Sequence, residues 1–100
     1  MRRIGLELAD RKELEKLLKV AAKDPKVATT LAGKMVPSQG DVKEFAYGLL
    51  VGMVIGNFMA SFEIKNGRQP DRDETADTLS IMMARMPTLR KSIMKQLEIR

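Results

Sequence analysis

The chain has 100 residues, and its 18 Lys or Arg against 13 Asp or Glu give a formal net charge of +5. It has no Cys, His or Trp, and three Phe and one Tyr are its only aromatics. This inventory excludes a disulfide framework, a Cys or His metal site, a thiol nucleophile and a Ser-His-Asp triad. Imidazole, the usual proton shuttle near neutral pH, is missing too, so no enzymatic role and no cofactor are expected. The length suits one domain, and a chain this short gains from burying surface against a partner.

The N-terminus is basic, but Glu7 and Asp10 follow before any apolar run, so a signal peptide is not expected. With no Cys to oxidise, a cytoplasmic location is the first expectation and a membrane one the alternative. Over residues 1–9, Ile4, Leu6 and Leu8 alternate with Gly5 and Glu7, which suggests an extended arm. Asp10 and Glu13 have capping-box spacing, and Leu14, Leu17, Leu18 and Ala21 then form one apolar stripe of a helix ending before Pro25. Lys12, Glu13, Glu15, Lys16 and Lys19 cover its other side.

Asp24 and Pro25 suit the start of a second short helix, with Val27, Ala28, Leu31 and Met35 spaced for its buried face. These two helices fill residues 10–36. Ser38 followed by Asp41 has capping-box spacing for a third helix, which meets no breaker until Asn66-Gly67. That predicts a long central helix over residues 39–66, roughly 42 Å if wholly helical. Within it, Phe45 through Phe62 carries no charge. Asp71 and Glu74 start a C-terminal helical pair over residues 71–99, broken or kinked at Pro87. Thr75, Leu79, Met82 and Met86 form its first stripe, with Met83 beside it, and Leu89, Ile93 and Leu97 form its second. The expected fold is therefore all-α: one domain, a bundle of four to five helices around one long apolar helix.

Gly48, Gly52, Gly56 and Ala60 recur every fourth residue along that helix. Each mid-helix Gly costs about 1 kcal/mol relative to Ala, so close approach of another helix must offset the penalty. The small-xxx-small pattern lets two backbones meet, and a homodimer packed across Gly48, Gly52, Gly56, Ala60 and Asn57 is the expectation. The competing reading lets each Gly accommodate a bulky side chain of the same chain. Asn57, with Ser61 one turn on, is expected to set helix register in the core or to bond its twin across a dimer axis.

The uncharged stretch also reaches the lower edge of a transmembrane span. Against that, Lys and Arg number ten in residues 1–44 and eight in residues 63–100, with no clear asymmetry. The amphipathic stripes on either side also need an apolar surface to cover. Arg85, Arg90, Lys91 and Lys95 lie in a segment free of acids from residue 78 to 97, a candidate phosphate-contacting stripe. No aromatic residues interleave with them, so base stacking is not indicated. Asp73 and Asp77 share a helix face and are the weak candidate for a hard cation. Dipole complementation and pairing with Arg68 and Arg72 explain the same acids without a metal.

Three functional readings follow. The first is a non-enzymatic interaction or structural module that self-associates through the Gly-stepped helix and offers a surface to another protein. The second is a small basic nucleic-acid-associated protein, and the third a single-span membrane protein or membrane-complex subunit.

Overall fold

A computed structural model describes residues 5–36 and 40–98. Among them the chain forms four helices and no strand: α1 (Leu8–Lys23), α2 (Lys26–Met35), α3 (Val42–Asn66) and α4 (Arg72–Glu98). The expected all-α bundle is present, and it is elongated, 53 × 21 × 17 Å.

Local chemistry sets most helix ends. The Asp41 side chain accepts from the Glu44 amide at 3.1 Å and starts α3 three residues later than expected. The capping role expected of Ser38, and Arg2, Arg3 and Ile4 of the arm, lie outside the described residues. Gly67 ends α3 in the left-handed conformation at φ 70°, and its amide reaches the Glu63 carbonyl at 2.7 Å. Asp71 and Glu74 form a reciprocal capping box, with amide-to-carboxylate distances of 2.8 and 2.9 Å. α4 then runs through Pro87 as one helix. Pro87 is exposed, and so is Met83, whose carbonyl loses the donor that proline lacks; water can satisfy it there.

α1 does not start as its spacing suggests. It begins two residues earlier, at Leu8, and Asp10 is a buried residue of the first turn. The Asp10 carboxylate binds Lys65 of α3 at 3.0 Å instead of capping its own helix.

The core lies along one line of α3: Ala46, Leu50, Val54, Phe58 and Phe62, a four-residue repeat. α1 contributes Leu14 and Leu18 as expected, and α4 contributes Met82, Leu89 and Ile93. α2 differs from expectation. Its buried side is Ala28, Thr29 and Ala32, while Val27, Leu31 and Met35 are 55%, 40% and 60% exposed. Two alanines let the α2 backbone lie close to its neighbours, and the larger side chains are turned outward. In α4 the first stripe is rotated by one residue: Glu74, Thr78 and Met82 are buried, Thr75 and Met86 are half-buried, and Leu79 and Met83 face solvent.

Polar links fix how the helices run. Leu6 with Asp77, Glu15 with Arg85 and Ala22 with Ser92 advance together, so α1 and α4 are parallel. The Asp10–Lys65 pair, with Leu17 and Ala21 beside Leu50 and Val54, makes α1 antiparallel to α3.

Residues 5–7 form the described part of the arm. Leu6 is fully buried in the core. Its amide donates to Asp77 Oδ2 at 2.8 Å, the same oxygen that Arg11 grips at 2.6 Å. Gly5 stands at φ 97°, and a Cβ there would lie 2.0 Å from Asp77 Oδ2. Both conformation and space therefore demand glycine.

Gly5→Ala is expected to destabilise the fold by about 1–3 kcal/mol, through strain and loss of the Asp77 clamp. Leu6→Ala is expected to cost about 2–5 kcal/mol by leaving a cavity. Both are measured by urea denaturation followed by helical circular dichroism. A loss under ~0.5 kcal/mol for both would mean that the arm does not dock.

Candidate functional site

α3 presents two unlike sides. One is the buried line just described. On the other, Gly48, Gly52, Gly56, Ala60 and Asn57 are all exposed, joined by Phe45, Met53 and Ile64, the last 86% exposed. A Cβ built on Gly48, Gly52 or Gly56 would meet no atom within 4 Å. Among the described residues, no side chain fills the space above these glycines, so the same-chain explanation finds no support there. α3 packs against each of the other three helices, but they cover only one of its sides. Expectation had it enclosed; 28% of its most apolar 18-residue window is buried. The cause is supply: the apolar faces of α1 and α4 also serve each other.

Asn57 is on the surface, not in a core seam. It borders a shallow apolar groove of about 180 Å³ where Leu17, Val20 and Val27 of α1 and α2 meet Met53 of α3. That groove joins the open side of α3 to Val27 of α2. The sequence pattern had placed Val27, Leu31 and Met35 inside, whereas all three are exposed.

The basic residues singled out on α4 are not gathered into one stripe. Arg85 turns to α1 and holds Glu15 through two hydrogen bonds of 3.0 and 2.9 Å. Arg90 turns the other way, pairs with Glu44 of α3 and lies over the Tyr47 ring, 5.3 Å from its centroid. Hydrogen bonds from Arg85 and Arg90 hold the Glu15 and Glu44 carboxyls below their ordinary value. These arginines tie helices together, whereas Lys91 and Lys95 are exposed and enter no described ion pair.

The acidic cluster is similarly committed. Asp77 holds Leu6 and Arg11, and Glu74 receives both guanidinium arms of Arg68 at 2.7 and 3.0 Å. The Arg68 guanidinium also lies 5.4 Å from the centroid of the Phe62 ring. Asp73 is exposed and Asp77 half-buried, and among the described residues no group of three or more acids is placed to hold a metal ion. A cleft of about 290 Å³ between α1 and α4 is lined by Glu15, Leu18, Lys19, Arg85, Thr88 and Leu89, its charged groups being the Arg85–Glu15 pair and Lys19.

The chain matches no family model, no curated protein and no solved structure.

The Arg68 hydrogen bonds, followed by the Asp71 amide, hold the Glu74 pKa below its ordinary 4.5. A depressed folded-state pKa makes the pair fully stabilising above the unfolded value, and the contribution disappears as pH falls through the folded one. Glu74→Gln is therefore expected to lower stability near pH 7 and to flatten the acid limb below 4.5. Urea denaturation at about pH 7 and about pH 3 checks this: the gap between variant and wild type should narrow in acid.

Proposed function

We propose that the protein is a non-enzymatic helical module that self-associates as a homodimer through the open side of α3. The observation that carries this reading is the empty space above Gly48, Gly52 and Gly56. Mid-helix glycines exact a folding penalty that no contact among the described residues repays.

A second copy suits the site. The face is uncharged from Phe45 to Phe62, so it selects for an equally uncharged surface. It carries both halves of a packing arrangement: flat ground at the glycines, and exposed side chains at Phe45 and Met53. A two-fold pairing lets each copy's ridges meet the other's glycines. The 18-residue uncharged segment is roughly 27 Å long and about 10 Å wide, a strip of roughly 270 Å². Exposed apolar patches of a few hundred Å² characteristically mark binding surfaces. Val27 of α2, which lines the groove beside Met53, widens the strip toward the area a stable dimer needs.

Lipid is the competing occupant. α3 is long and apolar enough to cross a membrane by length and composition. A span would have to shed the helices that cover Leu50, Val54 and Phe58, or draw the charged outer faces of α1 and α4 into hydrocarbon with it. The folded bundle thus supports a cytoplasmic dimer over a span.

Sedimentation equilibrium at micromolar concentration is expected to show a dimer. Gly52→Leu should yield a folded monomer, because an added Cβ meets no described atom outside its own helix backbone, whereas a leucine there blocks a partner helix. Gly48→Ala and Gly56→Ala should each raise the helical stability of the monomer by up to about 1 kcal/mol while weakening association. A monomeric wild type, or a Gly52→Leu variant that still dimerises, would overturn the proposal. Recovery of the wild type in the membrane fraction after detergent-free lysis would favour lipid.

A further inference from the structure

A second surface lies away from the open side of α3. On α1, Lys12, Lys16, Lys19 and Lys23 are spaced i, i+4, i+7 and i+11, which places all four on one face, opposite the buried Leu14 and Leu18. The row is about 16 Å long. All four are exposed, and none joins an ion pair or side-chain hydrogen bond among the described residues.

α4 extends this surface. Its parallel alignment with α1, set by Arg85 on Glu15 and Ser92 on Ala22, brings its C-terminal half level with Lys19 and Lys23. Lys91 and Lys95 follow Thr88 and Ser92 by three residues, so they lie just outside the side of α4 that faces α1. The carboxylate between the two rows, Glu15, is neutralised by Arg85. Two adjacent helices thus present six uncommitted lysines.

We infer that this six-lysine face of α1 and α4 binds the phosphate backbone of duplex DNA without reading its sequence. Three observations favour that occupant. The cations are lysines, compact point charges suited to phosphate, and no Arg, Asn or Gln stands in the α1 row to read base edges. No aromatic residue lies among them, so unpaired bases gain nothing by stacking. Packed helices stand about 8–10 Å apart. Two cation rows at that spacing suit the phosphates on either side of the ~6 Å minor groove of B-form DNA better than the wide, shallow minor groove of an RNA duplex.

An anionic bilayer offers similar charge. A protein lying on lipid places apolar side chains and lysines on the same face. Here Leu8 and Val20 are the exposed large apolar side chains of α1, and the broader apolar surface is on α3, so a bilayer gains little apolar contact from the lysine face. This surface is also independent of α3, and self-association can fail without touching the inference.

The test is fluorescence anisotropy with a labelled mixed-sequence DNA duplex of about 20 base pairs, titrated at several salt concentrations. Six phosphate contacts predict that log K falls against log salt with a slope of about −5. Lys16→Gln with Lys19→Gln should weaken binding at least about tenfold and reduce the slope by about 2. Lys34→Gln with Lys43→Gln removes the same charge from exposed sites elsewhere and should leave the slope unchanged. Helicity by circular dichroism confirms that both variants fold.

Absence of binding at low salt would overturn the inference. So would equal losses in the two double variants, which would reduce the effect to net charge. Tighter binding to an RNA duplex, or to phosphatidylserine vesicles with the same lysine dependence, would reassign the face to that ligand.

Discussion

Among the described residues, α1, α2 and α4 each pack against α3, whose buried line is Ala46, Leu50, Val54, Phe58 and Phe62. The line is drawn from a segment with no charge on any side, so sequence polarity alone does not say which side of α3 points inward. The choice falls to the neighbours. Ala28 and Ala32 bring α2 close to its neighbours, Leu14 and Leu18 face inward from α1, and Phe58 and Phe62 stack tilted to each other at 6.2 Å. Once that side is taken, the glycine side is left outward by geometry.

Apolar burial is non-directional, so it cannot by itself fix how far one helix slides along another. Charged and polar groups supply that register. Lys65 on Asp10, Arg85 on Glu15 and Arg90 on Glu44 join helices far apart in sequence, and Asp77 binds the arm. Surface ion pairs add little stability individually. Their effect here is positional: they keep α1 parallel to α4 and leave a set of lysines without ion-pair partners among the described residues. All buried side-chain nitrogen and oxygen atoms among the described residues have a hydrogen-bond partner, so the arrangement leaves no such polar group stranded.

What was legible in the sequence was local. The Asp71–Glu74 box, the Gly67 stop, the Leu14 and Leu18 stripe and the Leu89–Ile93 stripe each depend on residues within one or two turns. What escaped depended on a partner element. Asp10 has good cap chemistry, but Lys65 of another helix claims it. Val27, Leu31 and Met35 look like a core face until the alanines beside them are seen to permit closer packing. The four-residue repeat of glycines was visible at once, whereas their lack of an own-chain partner needed the packed bundle. The α1 lysines were visible as a polar side, but intervening Glu13 and Glu15 hid that four cations share one line.

The contacts that tie Leu6 to Asp77, Glu15 to Arg85 and Ala22 to Ser92 each span about 70 residues of a 100-residue chain. Such closures are entropically costly and come late in folding. During synthesis, α1, α2 and α3 emerge before any of α4 exists, so the inward side of α1 has no α4 to cover it until α4 is made. An interrupted chain lacking α4 would expose Leu6, Leu14 and Leu18 together with the uncharged length of α3.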